Sequence, residues 1–302
     1  FQNLTLTMLP FDERTCVYNN EILLCDNFND PIENCDLSAN QQIHNFISSP
    51  YPFKLQFFLA IFCLDGYMCV RLNLNEYKIQ RNCLQIIPSE SIGQCLEISP
   101  DCRIAIIAFT NSYLISENNP QSALILRKFL IHNSLIKLSS SEMHEIIDIY
   151  LLMRKKMSQP HGIFTREILD KYSQIIYYNI CQLVAPYIER QNAEHTSRKK
   201  QIFDCFIELL KQHYTTERSI GFYADRLCLT PKYLSQVVRN FSGRHAGEWI
   251  RDYVILEAKA LLKSGRYNVQ QVSDMLNFAN QSFFGVYFKK AVGCSPSAYQ
   301  NS

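Results

Sequence analysis

Val269 to Gln300 reads VQQVSDMLNFANQSFFGVYFKKAVGCSPSAYQ. Val272, Met275 and Leu276 recur at helical spacing and predict a short helix with one apolar stripe. Asn277 falls where the chain must turn, and Asn tolerates the positive φ that a tight turn requires; Phe278 closes that turn. Asn280 can cap a second helix. Phe284 and Phe288, four apart, predict its buried face, and Lys289 and Lys290 stand at its end, where the helix dipole favours cations. Gly293 ends it, and Ser295-Pro296 follows as a stop. Two helices joined by a tight turn and basic at one end form the helix-turn-helix arrangement, whose second helix enters a DNA major groove.

The Phe after the turn, then Ser282-Phe283-Phe284, Phe288-Lys289-Lys290, Gly293, Ser295-Pro296 and Tyr299 resemble the signature of the AraC/XylS family of bacterial transcription regulators. The resemblance implies a second, related unit upstream, joined to the first by one long helix. Ser219 to Gly243, SIGFYADRLCLTPKYLSQVVRNFSG, supplies it. Ala224, Leu227 and Leu229 mark its first helix and turn. Thr230-Pro231 is a cap followed by a favoured first helical residue. Tyr233, Leu234, Val237, Val238 and Phe241 predict the buried face of its second helix, and Gly243 the stop. The A-x-x-L-x-L-T-P-x-Y-L run also resembles the family. Between the units, Ala246 to Ser264 carries Trp249, Ile250, Tyr253, Leu256, Ala260 and Leu261 at helical spacing, and Gly265 stops it. A helix of that length spans roughly 28 Å, enough to hold two recognition helices near one DNA turn, about 34 Å, apart. The resemblance covers roughly residues 200–300.

The chain has 302 residues, room for two domains, and at 47% hydrophobic and 19% charged it has the composition of packed cores, not of disorder. Its net charge is only +2, but residues 198–302 hold 15 Lys/Arg against 8 Asp/Glu (+7), while residues 1–197 hold 15 against 20 (−5). A basic C-terminal third suits a polyanion; the acidic remainder does not, and predicts a different task for the first two thirds. The 12 Cys are scattered without a C-x-x-C pair, and read as small buried hydrophobes in a reducing cytoplasm. The longest strongly apolar stretch, Phe57 to Leu64, is too short to span a bilayer. Residue 1 is Phe, so nothing follows from the lack of a signal peptide.

Before the linker the chain first reads as strands. Glu21 to Cys25 is a short apolar piece. Phe53, Leu55, Phe57, Leu59 and Ile61 predict one strand that becomes buried on both faces. Asp65-Gly66 is a hairpin signal. Met68, Val70, Leu72 and Leu74 predict a half-buried strand; Cys83 to Ile87 and Arg103 to Phe109 predict two more, with Pro88 and Pro100 as punctuation. Short, closely spaced strands suggest a small barrel or sandwich, and the resemblance implies a cupin-like barrel here. Such an interior can hold a small molecule, although Phe57, Phe58, Phe62 and Tyr67 read first as core. The family's His-rich sugar-binding strand has no counterpart: His44 alone precedes His132, and there is no His-x-His.

After Asn119-Pro120 the period turns helical at Leu124, Leu126, Phe129 and Leu130. Ser139-x-x-Glu142 is a capping box for a helix carrying Met143, Ile146, Ile147, Tyr150 and Leu151. Arg154-Lys155-Lys156 reads as its solvated end rather than a DNA contact. Gln159-Pro160-His161-Gly162 breaks the chain. Leu169, Tyr172, Ile176, Ile180 and Leu183 then form a long stripe that either dimerises, as the resemblance implies, or packs on the barrel.

The expected architecture is therefore α+β. An N-terminal cupin-like β-barrel with helices occupies 1–118, a helical region that can dimerise 119–188, and a linker 189–200. An all-α domain of two helix-turn-helix units joined by a long helix occupies 201–302, opening with Ile202, Phe206, Leu209 and Leu210. On the first recognition helix Lys232, Ser235, Gln236 and Arg239 lie off the apolar face. Gln can pair with adenine and Lys with guanine, and the resemblance places base contacts at Lys232, Ser235 and Gln236. Tyr233 is grouped with this DNA-binding set, and Arg239 and Arg244 suit phosphates. On the second helix Asn280, Gln281 and Ser282 are expected near DNA, with Lys289 and Lys290. Gly285 and Val286 depart from the family, which often has Arg at the second position, so this helix is expected to position more than to read. Ser273 and Asn277 replace the family's Ala and Gly. No G-x-S-x-G, H-E-x-x-H or Walker loop is present, and Cys181 and Cys205 read as buried thiols on apolar helix faces. The expectation is a cytoplasmic regulator, not an enzyme, without cofactor, metal or membrane. Its expected partners are double-stranded promoter or operator DNA, RNA polymerase, a second copy of itself, and a small effector or, alternatively, a protein partner for the N-terminal domain.

Overall fold

The structure is a computed structural model describing residues 15–28, 51–110, 134–160, 162–193 and 198–301. The expectations for Leu124, Leu126, Phe129 and Leu130, and for His44 and His132, fall outside these. The described residues form two compact units: Leu55–Arg190 with the strands around residues 15–26, and Gln191–Ser302 with Tyr51–Lys54.

The first unit mixes sheet and helix. Its strands are β1 (Thr15–Tyr18), β2 (Ile22–Asp26), β4 (Phe57–Asp65), β5 (Tyr67–Leu72), β6 (Asn75–Gln80), β7 (Cys83–Ile87), β8 (Ile92–Ile98), β9 (Arg103–Thr110) and β10 (Leu135–Lys137); the two-residue β3 is Phe53–Lys54. One antiparallel sheet runs β1-β2-β9-β4-β7-β10, with Leu59 opposite Ala108 and Ile61 opposite Ile106. A second contains the run β8-β5-β6, with Met68 opposite both Ile98 and Ile79. β6 lies against β4 and β7, so the two sheets form layers. Among the described residues no pairing closes either sheet, so the strand pairing is that of two open sheets. β5 alternates half-buried and buried, as its sequence predicts. β7 is buried throughout, and its one polar member, Gln85, donates to the Ser134 carbonyl at 3.0 Å and hydroxyl at 2.7 Å.

Two expectations change. The strand expected from Phe53 to Ile61 is broken: β3 ends at Lys54 and β4 begins at Phe57. Leu55 between them donates to the Ser91 carbonyl and accepts from the Glu90 amide. Alternation alone cannot see such a change of partner. Asp65-Gly66 is not a hairpin between paired strands, because β4 and β5 belong to different sheets. It is the corner where the chain changes layer. Gly66 has φ 64°, and a Cβ there would lie 2.7 Å from the Cys102 Cα, so only glycine fits.

α1 (Ser140–Met157) starts with the predicted capping box: the Glu142 amide donates to the Ser139 hydroxyl at 3.2 Å, and the Ser139 amide to the Glu142 carboxylate at 2.6 Å. Its buried Met143, Ile146, Ile147 and Tyr150 pack in one core with Phe62, Leu84 and Ile107. Its end is not simply solvated. Arg154 pairs with the fully buried Asp26 of β2, which also accepts the Tyr150 hydroxyl at 2.7 Å. Burial pushes the Tyr150 phenol well above its usual range, so it remains a neutral donor. α2 (Thr165–Ala193) sends Leu169, Ile176 and Ile180 into the same core. The stripe therefore packs on the sheet. The opposite face leaves Ile168, Ile175 and Tyr178 exposed. α2 continues to Ala193 and the next helix begins at Arg198, so most of the stretch expected as linker is helical.

The second unit is helical: α3 (Arg198–His213), α4 (Ile220–Arg226), α5 (Pro231–Ser242), α6 (Ala246–Lys263), α7 (Val269–Met275), α8 (Gln281–Val292) and α9 (Pro296–Asn301). α6 buries eleven of its 18 residues. Within this unit the buried Glu257 accepts the Tyr214 hydroxyl at 2.6 Å and Lys54 Nζ at 2.9 Å.

Asp26→Ala removes the acceptor that holds both Tyr150 and Arg154. It is expected to destabilise the protein by about 3 kcal/mol, because it leaves a partly buried cation without its partner. Urea unfolding of the full chain measures this, and a change near zero would show the cluster to be incidental.

Candidate nucleic-acid interface

The two helix-turn-helix units are built by the same local chemistry. In the first, the Ser219 hydroxyl accepts from the Gly221 amide at 3.2 Å and starts α4. The chain turns at Cys228, φ 55°, and the Leu229 amide returns to the Ala224 carbonyl at 2.9 Å. The Thr230 hydroxyl accepts from the Tyr233 amide at 3.2 Å, Pro231 fills the first position of α5, and Gly243, φ 72°, ends it. In the second, Asn268 and Gln271 form a reciprocal capping box at 2.8 and 2.9 Å that starts α7. Asn277, φ 53°, makes the turn, and the Phe278 amide returns to the Ser273 carbonyl at 3.0 Å. Asn280 Oδ1 accepts from the Phe283 amide at 3.0 Å and starts α8, which Gly293, φ 91°, ends. The two stopping glycines, residues 243 and 293, are 50 positions apart.

Each second helix is anchored by the expected residues. Leu234, Val237 and Val238 of α5 are buried, as are Phe284 and Phe288 of α8. Three apolar residues fall elsewhere. Tyr233 is 39% exposed and Met275 45%. Phe241, also exposed, stacks on Phe203 with ring centroids 5.1 Å apart instead of entering the core. Helical spacing places these side chains near the apolar stripe but does not say where the neighbouring helix stops.

Outside that core, α5 presents Lys232, Tyr233, Gln236 and Arg239 to solvent, with Ser235 half-buried beside them. Arg244 is held elsewhere: its guanidinium pairs with Asp252 and lies 5.0 Å from the centre of the Trp249 ring. On α8, Gln281 and Ser282 are exposed at the start and Lys289 and Lys290 in the last turn, while the Asn280 side chain is occupied by the cap. Cys205 is exposed, contrary to its expected burial. No disulfide joins the described cysteines.

The exposure of Phe283 and the reach of Arg218 escaped the sequence, whereas Val286 lies on the exposed face as expected. Phe283 and Val286 are the most exposed apolar side chains of α8. Arg218, just before α4, donates to the carbonyls of Leu276 and Asn277 at the end of α7, and its guanidinium lies 4.1 Å from the centre of the Phe278 ring. Asn277 Nδ2 donates back to the Thr216 carbonyl at 3.0 Å. This clamp joins the first unit to the turn of the second and satisfies carbonyls that a helix end leaves open. Only the spacing of Phe283 and Val286, offset from Phe284 and Phe288, carried a readable signal.

Residues 223–302 match a family model described as a helix-turn-helix domain. The chain is 28% identical over 133 residues to the arabinose operon regulatory protein of Escherichia coli (strain K12), covering 43% of this chain and 45% of that protein. It is 28% identical over 109 residues to the HTH-type transcriptional activator AarP of Providencia stuartii, covering 36% of this chain and 81% of AarP. Among solved structures, ToxT from Vibrio cholerae aligns over 83% of this chain and 92% of its own, with 15% identity and a TM-score of 0.39. The chain spans less than half the length of the first curated relatives it matches, between 15% and 45%.

The turns differ in one testable respect. Asn tolerates a left-handed conformation at residue 277, whereas Cys228 carries the Cβ cost without a compensating contact from its exposed side chain. Cys228→Asn is expected to stabilise the chain by up to about 1 kcal/mol, read as a higher midpoint in thermal unfolding. An unchanged or lower midpoint would contradict the strain argument.

Proposed function

We propose, from the premise that residues 223–302 are a helix-turn-helix domain of the AraC/XylS type, that this chain is a sequence-specific DNA-binding transcription regulator. Its N-terminal domain controls it through a small effector or through dimerisation. The observation that carries the reading is the repeat itself: two units, each with a side-chain-capped second helix, a left-handed turn and a glycine stop, flanking the long buried helix α6. Such a pair can enter two successive major grooves. Lys232, Ser235 and Gln236 are the base-contacting set on α5, with Tyr233 beside them; Gln236 suits adenine and Lys232 guanine. Arg239, Lys289 and Lys290 suit phosphates, as do the amides at the start of α8 near Asn280, Gln281 and Ser282. Arg244 reaches a phosphate only by sharing its charge with Asp252.

The N-terminal unit suits a control domain. Layered antiparallel sheets belong to the double-sheet architectures that include cupins, which supports the cupin-like reading and a small effector. The exposed Ile168, Ile175 and Tyr178 on the outer face of α2, with Ile163 and Phe164 exposed just before it, support a second copy as the occupant of that face. The same apolar face favours the alternative, a protein partner and no small ligand. RNA polymerase is the further partner a cytoplasmic regulator of this kind would meet. No helix among the described residues is long and apolar enough to cross a membrane.

Selection of bound sites from random duplex DNA by the full chain tests the central reading. It is expected to return one bipartite sequence, with affinity falling steeply as salt rises; recovery of no preferred sequence would overturn it. Within the selected site Gln236→Ala is expected to relax choice at one base by about 1–3 kcal/mol, and unchanged preference would remove Gln236 from the reading set. Ile175→Asp is expected to shift the full chain from dimer to monomer in sedimentation at micromolar concentration. A wild-type chain already monomeric there would favour the protein-partner alternative.

A further inference from the structure

We propose that the second recognition helix reads thymine methyl groups through Phe283 and Val286. The inference rests on the DNA-binding reading above and specifies its chemistry. α8 turns its buried residues, Phe284 and Phe288, to one side. Stepping 100° per residue places Val286 opposite that buried pair, with Ser282 and Lys289 on one flank and Phe283 and Lys290 on the other. The outward face is therefore a stripe that is apolar at its centre and basic at its end. Val286 is 71% exposed and Phe283 65%. Nothing in the described protein covers them, so both apolar side chains are open to a partner surface.

Gly285 adds an independent observation. It sits inside α8, where glycine is a poor choice. A Cβ built there would meet nothing within 4 Å, and its φ does not require glycine. The internal packing therefore gives no reason for the missing side chain. Its effect is external: a notch beside Val286 that lets another surface approach the helix backbone closely. Ser282 and Lys289, three before and four after, border the notch.

In the major groove each base pair offers hydrogen-bonding groups, but only thymine offers an apolar one, its C5 methyl. A helix whose outward centre is Val and Phe, with no long polar side chain at residues 283, 285 or 286, matches that feature and no other base edge. The lysines in the last turn suit the flanking phosphates. The two recognition helices thus divide the work. α5 reads hydrogen-bonding edges with Lys232 and Gln236. α8 reads methyls. This replaces the expectation that the second helix mainly positions the protein.

Replacing thymine by uracil removes the methyl alone and leaves base pairing and every groove hydrogen-bonding group in place. We would scan the selected DNA site with single thymine-to-uracil changes and measure binding of the full chain. The expected result is a cluster of sensitive thymines in one half-site, each losing about fourfold in affinity, the transfer value of one buried methyl-sized group. Val286→Ser, with Phe283→Ser as the second variant, should bind the uracil and thymine sites alike at those positions. Both side chains are exposed, so thermal unfolding should be unchanged. Specific binding with no uracil-sensitive thymine, or the same sensitivity in both variants, would overturn this proposal and leave the DNA-binding reading standing. No specific site in any DNA would overturn that reading, and this proposal with it.

Discussion

A helix buried on most of its circumference must have neighbours on several sides, and α6 is such a helix. α5, α7, α8 and α9 all pack against it. Tyr253, Val254, Ala258 and Leu261 are shut from solvent along its length. The two helix-turn-helix units are therefore not beads on a string. Their separation is set by one rigid rod, and removing any face of that rod from its partners exposes core. Such a spine can carry a buried carboxylate only if its charge is met, and the Tyr214 hydroxyl and Lys54 meet that of Glu257.

A second tie reinforces the rod. Arg218 reaches across to the last carbonyls of α7 and covers Phe278, while Asn277 returns a hydrogen bond to Thr216. A guanidinium spanning two adjacent carbonyls fixes direction as well as distance, since its donors form a planar fork. With α6 on one side and this clamp on the other, the turn of the second unit is held at two points. That rigidity is what a protein needs if two helices are to enter two grooves together without an ordering cost at the moment of binding. The N-terminal sheet-and-helix unit solves a similar problem with different chemistry: Asp26 of β2 gathers Tyr150 and Arg154 of α1 and pins the helix to the sheet.

Legibility in the sequence followed the range of the interaction. Caps, stops and turns were readable because they act within a few residues: Thr230, Asn280, Asn277, Gly243, Gly293 and the Ser139–Glu142 box all behave as their types demand. Core positions on long stripes were readable too, as Phe284, Phe288 and Ile176 show. The edges of stripes were not. Tyr233 and Met275 have the right spacing but stay exposed, and Phe241, exposed as well, meets the Phe203 ring at the margin of the core. Long-range pairing left no local mark: Arg218 meets backbone carbonyls 58 and 59 residues away, and Arg154 meets Asp26 across 128. The break at Leu55 and the sheet-changing corner at Gly66 were hidden for the same reason, because both depend on which distant strand is the partner.

The most direct test of the central claim is a hydroxyl-radical footprint of the full chain on its selected DNA. If α5 and α8 are held by α6 to enter successive major grooves, protection should appear as two separate patches on one face of the duplex, about 10 base pairs apart. A single short patch, or uniform protection without a preferred face, would contradict the account.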